Sequence, residues 1–223
     1  MLWGIKMNNI IGLILSLLLT GGVIFISTIL QKAGYVGDEG ARKFVHIGVS
    51  NWWIIAMIFF DNIWFAIIPP ILFIALNYLS YKFSLIKAME GGSRSNLGTV
   101  YYPISLAILI LVTFNSHLLY IGALGILVLG YGDGMAAVIG TKFGKNKIIL
   151  NKSVQGSATM FIFSLVVSFI ILSIFTPKIQ YIGSLTIASF ATTVELLTPY
   201  GLDNLSVPLG SSAVYYLLTL VAK

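Results

Sequence analysis

Three acidic side chains near the ends of long apolar runs are the first candidates for chemistry. The chain has only seven acidic residues, and Asp133, Glu195 and Asp203 are three of them. A carboxylate at membrane depth costs several kcal/mol, so a functional role is its default interpretation. Carboxylate oxygens suit Mg²⁺, which is usually bound together with substrate phosphates. We therefore predict that these three residues hold Mg²⁺ and share the catalytic work.

A stripe of small residues follows the first of these acids. Ala137, Gly140 and Gly144 lie at i+4, i+7 and i+11 from Asp133, which places them on one helical face. A face with almost no side chains lets either a ligand or a neighbouring helix approach the backbone closely. Because Asp133 stands at the end of the stripe, a ligand such as a nucleotide is favoured over simple helix packing.

Lysines and glycines alternate in the next segment, where four lysines fall within residues 142–152. Membrane anchoring explains most runs of this kind. Lys152 and Ser153, however, directly precede an apolar run, and helix N-termini attract anions. We therefore predict that Lys145 and Lys152 neutralise phosphate charge, with Ser153 and Gly156 beside them.

A basic cluster opens the second apolar run. Arg42 and His46 are four residues apart and share a helical face, so either can contact a phosphate or a hydroxyl. Anchoring at the membrane interface explains Arg42 and Lys43 but not His46, although a lone histidine there is more often structural. Asn204 follows Asp203, and helix capping is the alternative interpretation of that pair.

Several familiar sites are excluded. The chain has no cysteine and no G-x-x-x-x-G-K-[ST] motif, so disulfides, thiolate metal sites and a P-loop are absent. Gly132-x-Gly134-x-x-Ala137 imitates a dinucleotide fingerprint, but it does not follow a strand in a βαβ unit. Residues 90–98 are polar and rich in glycine and serine, which suits a lid over a site.

The elements that position these residues are predicted to be membrane helices. The chain is 58% hydrophobic and only 9% charged, too few charges for a soluble surface. We predict one all-α integral membrane domain, residues 1–223, built as a polytopic transmembrane bundle. About eight runs are long enough to span a bilayer. They are 8–30, 43–60, 62–80, 98–115, 118–141, 157–176, 179–197 and 205–221.

The distribution of basic residues predicts the orientation. With the N-terminus outside, ten lysines and arginines fall in inside loops and only Lys6, Lys178 and Lys223 fall outside. The net charge of +6 therefore reflects cytoplasmic loops and gives no reason to expect a nucleic-acid partner. His117 lies in a predicted outside turn and is given no role. Pro69-Pro70 should kink the third span.

Five ordered motifs resemble a known family over about residues 40–210. The family comprises phytol kinases, dolichol kinases and CTP-dependent diacylglycerol kinases, and is related to the phosphatidate cytidylyltransferases. One departure is Gln155, where the family commonly has Glu. The motifs are Arg42-Lys43-x-x-His46, Gly98-x-x-Tyr101-Tyr102, Gly132-Asp133-Gly134-x-Ala136-Ala137-x-x-Gly140-x-x-x-Gly144-Lys145, Lys152-Ser153-x-x-Gly156 and Glu195…Asp203-Asn204-x-x-Val207-Pro208-Leu209.

The resemblance implies a kinase of the cytoplasmic membrane that transfers phosphate from CTP to a lipid alcohol at the cytoplasmic face. In this interpretation one carboxylate or His46 orients the lipid hydroxyl. The residues expected to bind substrate or nucleotide also include Arg42, Lys43, Gly132, Gly134 and Asn204. A prenyl alcohol, a polyprenol and diacylglycerol are all compatible acceptors. A phosphatidate cytidylyltransferase that makes a CDP-lipid is the first alternative. A CDP-alcohol phosphotransferase is discounted because Val138 follows Ala137 where its motif has Arg. A small transporter or scaffold is the non-enzyme alternative, and it predicts charges midway through spans.

Overall fold

The chain is mainly helical within the part described by a computed structural model, residues 2–83, 85, 97–116 and 118–221. No strand occurs among these residues, which confirms the all-α prediction. His117 and most of the predicted lid, residues 90–96, lie outside the described residues. The helices are α1 (Leu2–Lys32), α2 (Asp38–Ser50), α3 (Trp52–Phe59), α4 (Ile63–Ala66), α5 (Ile68–Phe83), α6 (Gly98–Thr113), α7 (Leu119–Leu127), a π-helical turn (Val128–Asp133), α8 (Gly134–Phe143), α9 (Val154–Phe175), a 3-10 turn (Pro177–Ile179), α10 (Gln180–Leu197) and α11 (Asp203–Val221).

Every predicted span contains helix, and three of them are interrupted. The second divides at Asn51 and the third at Ile67, just before Pro69-Pro70, whose rings cannot donate backbone hydrogen bonds. The fifth contains the π-helical turn between α7 and α8. Five helical stretches within the described residues are long and apolar enough to cross a membrane, and two of them include the break at Ile67 and the π-helical turn. The five are Asn8–Lys32, Ile63–Phe83, Leu119–Phe143, Val154–Phe175 and Asp203–Val221.

The outer surface is apolar and the interior holds many hydroxyl groups, as expected of a bundle in lipid. Large apolar side chains such as Phe25 and Ile174 are 66% exposed, whereas Ser16, Ser105 and Ser164 are fully buried. Without water outside the bundle, close packing and interhelical hydrogen bonds must hold the helices together. The apolar outer surface, together with the long apolar helices, supports a membrane protein.

The stretch Leu119–Phe143 is the central helix of the bundle. Of its most apolar window, 72% is buried, against at most 33% for the other four stretches. Glycines bring its neighbours close: a Cβ on Gly122 would lie 2.2 Å from the Trp53 ring, and one on Gly125 would lie 2.2 Å from the Pro208 carbonyl oxygen. Trp53 Nε1 also donates to the Leu119 carbonyl at 2.8 Å. The sequence thus places its least bulky helix where contact with other helices is greatest.

Candidate active site

The three predicted metal-binding acids meet at one end of the bundle. Asp133 ends the π-helical turn, Glu195 lies in the last turn of α10, and Asp203 begins α11. One oxygen atom of each carboxylate lies within 4.8 Å of the others. Mg²⁺ binds oxygen at 2.0–2.1 Å, so two oxygens around one ion are at most about 4.2 Å apart. Small side-chain rotations would bring all three within reach of one ion, so this donor set fits Mg²⁺.

The π-helical turn positions Asp133 well inside the protein. Such turns add one residue to a helical turn and often occur at functional sites. Asp133 stands ten residues before the end of α8, which corresponds to about 15 Å of helix. Asp133 as a whole is only 4% exposed to solvent. The carboxylate is therefore recessed into the bundle, deeper along its span than Glu195 or Asp203.

Two lysines compensate the charge of the three acids. The ammonium group of Lys43 forms a buried salt bridge with the carboxylate of Asp133. Lys152 Nζ lies 2.7 Å from Glu195 Oε1 and 3.7 Å from Asp203 Oδ2. An unpaired carboxylate in such a place would cost several kcal/mol. The cavity wall as a whole adds Glu39, Arg42 and Lys147, so acids and bases on it are equal in number.

Arg42 adds a largely buried guanidinium to the site, with its side chain 11% exposed. The guanidinium donates from Nε and Nη2 to the carboxylate of Glu39, at 3.1 and 2.5 Å. This two-point pairing fixes the orientation of a planar donor group beside the acids. His46, one helical turn further along α2, is buried instead against Tyr102, with ring centroids 4.2 Å apart.

These side chains surround a polar cavity of about 250 Å³. Ten predicted site residues line it: Arg42, Lys43, Asp133, Ala137, Gly140, Lys152, Ser153, Gly156, Glu195 and Asp203. The wall also includes residues to which the sequence analysis gave no site role: Glu39, Ala136, Thr141, Lys147, Asn151 and Ser157. Basic groups and carboxylates therefore share one space, as a complex of a metal ion and phosphates requires.

Six predicted residues lie outside this wall. A Cβ on Gly132 would meet Met160 Sδ at 2.6 Å, and one on Gly134 would meet Ile47 Cγ1 at 2.4 Å, so both glycines serve helix packing. Asn204 is buried and donates to the Gly201 carbonyl at 2.9 Å. Of the other three, Gly144 faces Ser153. Lys145 is exposed, and His46 lines a second cavity.

The small-residue stripe takes part in helix packing and also lines the polar cavity, so the prediction of a ligand there stays a prediction. A Cβ on Gly140 would lie 3.4 Å from the Gly156 Cα, so α8 and α9 are in close contact there. Ala137 and Gly140 also line the polar cavity. Ser153 caps α9, because its hydroxyl oxygen accepts a hydrogen bond from the Gly156 amide at 3.1 Å. Close helix contact thus brings the capped start of α9 to the cavity.

The segment between α8 and α9 folds back over the cavity. Lys147 and Ser153 form an isolated antiparallel bridge, and Asn151 takes a positive φ of 61° at the turn. Asn tolerates this conformation better than most residues. The run of lysines marked this segment as a candidate phosphate-binding region. The turn that returns Lys147 and Asn151 to the cavity, however, could not be predicted from the spacing of residues in the sequence. Gln155 lies just beyond, and its buried Oε1 has no hydrogen-bond partner within the described residues.

Gly130 fixes the π-helical turn against α2, and its replacement should destabilise the fold. A Cβ there would lie 2.3 Å from the Ser50 Cβ, so Gly130→Ala must displace α2. Overpacking of this kind costs about 1–3 kcal/mol. We expect a lower thermal unfolding midpoint in detergent. The double variant Gly130→Ala/Ser50→Gly removes the clashing atom and should recover most of the loss; an unaltered midpoint for Gly130→Ala alone contradicts this account.

The chain is similar to several known proteins over most of its length. It is 30% identical to the phytol kinase of Synechocystis sp. over 200 residues, which cover 87% of this chain and 85% of that protein. It is 30% identical to the probable chloroplastic phytol kinase of Triticum aestivum, with 85% and 70% covered. It is 31% identical to the chloroplastic phytol kinase 1 of Arabidopsis thaliana, with 84% and 69% covered.

No family model and no solved structure matches the chain. The relatives described above are all named as kinases, which favours a phosphotransferase over a transporter, a scaffold or a cytidylyltransferase. The identity extends across most of both chains, and the helices are those of a membrane protein. The chain therefore belongs to the phytol kinase family and is a kinase embedded in a membrane.

Proposed function

We propose that this kinase transfers the γ-phosphate of CTP to a prenyl alcohol, with Mg²⁺ bound and with its site on the cytoplasmic face of the membrane. The observation that carries the proposal is the convergence of Asp133, Glu195 and Asp203 with Lys43 and Lys152 in one cavity. Phosphoryl transfer needs positioning and neutralisation of phosphate charge more than covalent chemistry. The donor CTP and the metal follow from the family resemblance.

Each part of the cavity has a defined task in this proposal. Asp133, Glu195 and Asp203 would hold Mg²⁺, which when bound neutralises charge on the phosphates. Lys43 and Lys152 balance the carboxylates in the absence of ligand, and the arrival of positive charge frees them to contact phosphate oxygens. The flexible stem of lysine permits that change of partner. Lys147 and Arg42, which line the same cavity, add positive charge for the rest of the triphosphate.

The acceptor is a lipid alcohol, and the names of the relatives favour phytol or a similar prenyl alcohol. In the transfer, the alcohol oxygen forms a bond to the γ-phosphorus. The bond from that phosphorus to the β–γ bridging oxygen breaks, CDP leaves, and the hydroxyl proton passes to a base of the site. Because the acceptor does not dissolve in water, it explains why the catalytic cavity lies within a bundle of membrane helices.

A product assay tests this proposal. Purified protein in lipid nanodiscs is incubated with Mg²⁺, with either γ-labelled CTP or γ-labelled ATP, and with phytol, geranylgeraniol or diacylglycerol. We expect label on the extracted prenyl alcohol and release of CDP. Label on diacylglycerol alone would change the acceptor, and label only with ATP would change the donor. Pyrophosphate release upon addition of phosphatidate, without any labelled lipid alcohol, would replace the kinase by a cytidylyltransferase.

The cytoplasmic orientation can be tested by cysteine labelling, because the chain has no cysteine of its own. Lys142 and Lys178 are both exposed and lie on loops predicted to be on opposite faces. In intact cells, a membrane-impermeant maleimide should label Lys178→Cys, whereas Lys142→Cys should be labelled only after permeabilisation. The reverse pattern would place the site on the outer face.

A further inference from the structure

A second cavity lies beside the polar one, between α1, α2, α5 and α6. Its wall is mostly apolar and includes Val45, Val49, Phe73 and Leu76. Leu76 is 51% exposed, so the cavity reaches the lipid-facing surface of the bundle. A hydrocarbon chain can therefore enter it from the membrane without passing through water.

The two cavities share one wall residue. Arg42 lines both of them, and its guanidinium is held by Glu39 on the side of the polar cavity. His46 lies one turn further along the same face of α2 and lines only the apolar cavity. A group at the inner end of the apolar cavity is thus next to the cavity that would hold the triphosphate.

Two polar atoms at this apolar cavity lack hydrogen-bond partners within the described residues: His46 Nε2 and Tyr102 Oη. The residues are 5% and 6% exposed, and both line the cavity. Buried polar groups without partners are costly, and nearly all such groups in native proteins are satisfied. A hydroxyl group satisfies both, because it can donate to the imidazole nitrogen and accept from the tyrosine hydroxyl.

We infer that this apolar cavity is the acceptor site, in which His46 Nε2 and Tyr102 Oη bind the hydroxyl of a long-chain prenyl alcohol. The apolar wall holds the carbons next to the hydroxyl, and the remainder of the chain extends past Leu76 into the bilayer. His46 then accepts the proton that the alcohol loses when its oxygen bonds to the γ-phosphorus. This inference rests on the proposed lipid-alcohol kinase activity and assigns its acceptor site.

Kinetic measurements on two variants test the inference. Because Tyr102 Oη has no hydrogen-bond partner among the described residues, Tyr102→Phe should keep its thermal stability. Loss of one hydrogen bond should raise KM for phytol about 3- to 10-fold.

Leu76→Trp narrows the cavity at an exposed position and should raise KM for phytol about 10-fold or more. In both variants KM for CTP should stay unchanged. Leu79→Trp is the matched control, since Leu79 is 42% exposed on the same helix and lies outside the cavity wall.

Photolabelling locates the alcohol directly and without turnover. A prenyl alcohol with a diazirine near its hydroxyl should label peptides from α1, α2, α5 or α6, and excess phytol should prevent the labelling. An unchanged KM for phytol in both variants, or labelling confined to other helices, overturns the acceptor site while the wild type still phosphorylates alcohols. Absence of phosphorylated alcohol with the wild type overturns the proposed function itself.

Discussion

Asp133→Asn is expected to lower kcat/KM for CTP-dependent phosphorylation by on the order of 10³-fold, a loss comparable to that of other charge-stabilising groups in phosphoryl transfer. The substitution keeps the size of the side chain and removes the charge of the deepest of the three clustered carboxylates. Initial rates with purified protein and saturating phytol measure this loss. Full turnover by a folded Asp133→Asn protein would remove Asp133 from the catalytic site.

Stability must be separated from catalysis in this experiment, since Asp133 also neutralises the buried Lys43. Removing one partner of a buried ion pair costs about 3–5 kcal/mol, because an uncompensated charge stays behind. The double variant Asp133→Asn/Lys43→Met removes both charges and should recover much of the thermal stability. It should remain inactive. Recovery of turnover together with stability would show that Asp133 matters only for folding.

The general architecture could be predicted from the sequence because it depends on composition and periodicity. Long apolar runs predicted an all-α membrane bundle, and the structure confirms it. The interruptions were harder to predict. Pro69-Pro70 signalled the break at Ile67, but the break at Asn51 and the π-helical turn before Gly134 depend on tertiary contacts. Such contacts override local propensity, which differs little between neighbouring apolar residues.

The candidate site was predictable to the extent that its residues are unusual in a membrane. Asp133, Glu195 and Asp203 are conspicuous because carboxylates are rare in apolar runs, and the fold brings them together. Glycines gave a weaker signal, since the same residue serves ligand approach and helix contact. Gly140 does line the cavity, whereas Gly132 has Met160 where its side chain would be.

Tyr102 shows why some site residues could not be assigned a role from the sequence. A tyrosine in an apolar helix is an ordinary core residue, and its hydroxyl usually finds a partner. Only the three-dimensional arrangement shows that the Tyr102 hydroxyl and His46 Nε2 are buried together, without partners in the part of the chain that the structure describes. The family motif included Tyr102, but its chemistry depends on α2 and α6 meeting at one cavity.

Asp203→Asn should weaken Mg²⁺ binding more than it weakens the fold. Asp203 is the most accessible member of the acid cluster, and its closest basic group, Lys152, stays paired with Glu195 at 2.7 Å. Altering even the outer partners of a metal site typically costs 10- to 100-fold in affinity or activity. We therefore expect the Mg²⁺ concentration for half-maximal activity to rise by at least about 10-fold. Titration of initial rate against Mg²⁺ at fixed CTP measures the change.

Asp61→Asn is the matched control for this experiment. Asp61 is an acid of the same type in the α3–α4 connection, where it is paired with Asn9 and lies outside the polar cavity. Its replacement should leave the Mg²⁺ requirement unchanged, because the three clustered carboxylates remain intact. An equal shift in both variants would point to a general effect of lost negative charge. A shift in Asp203→Asn alone supports a metal ion held by the cluster, because only that variant removes one of its proposed ligands.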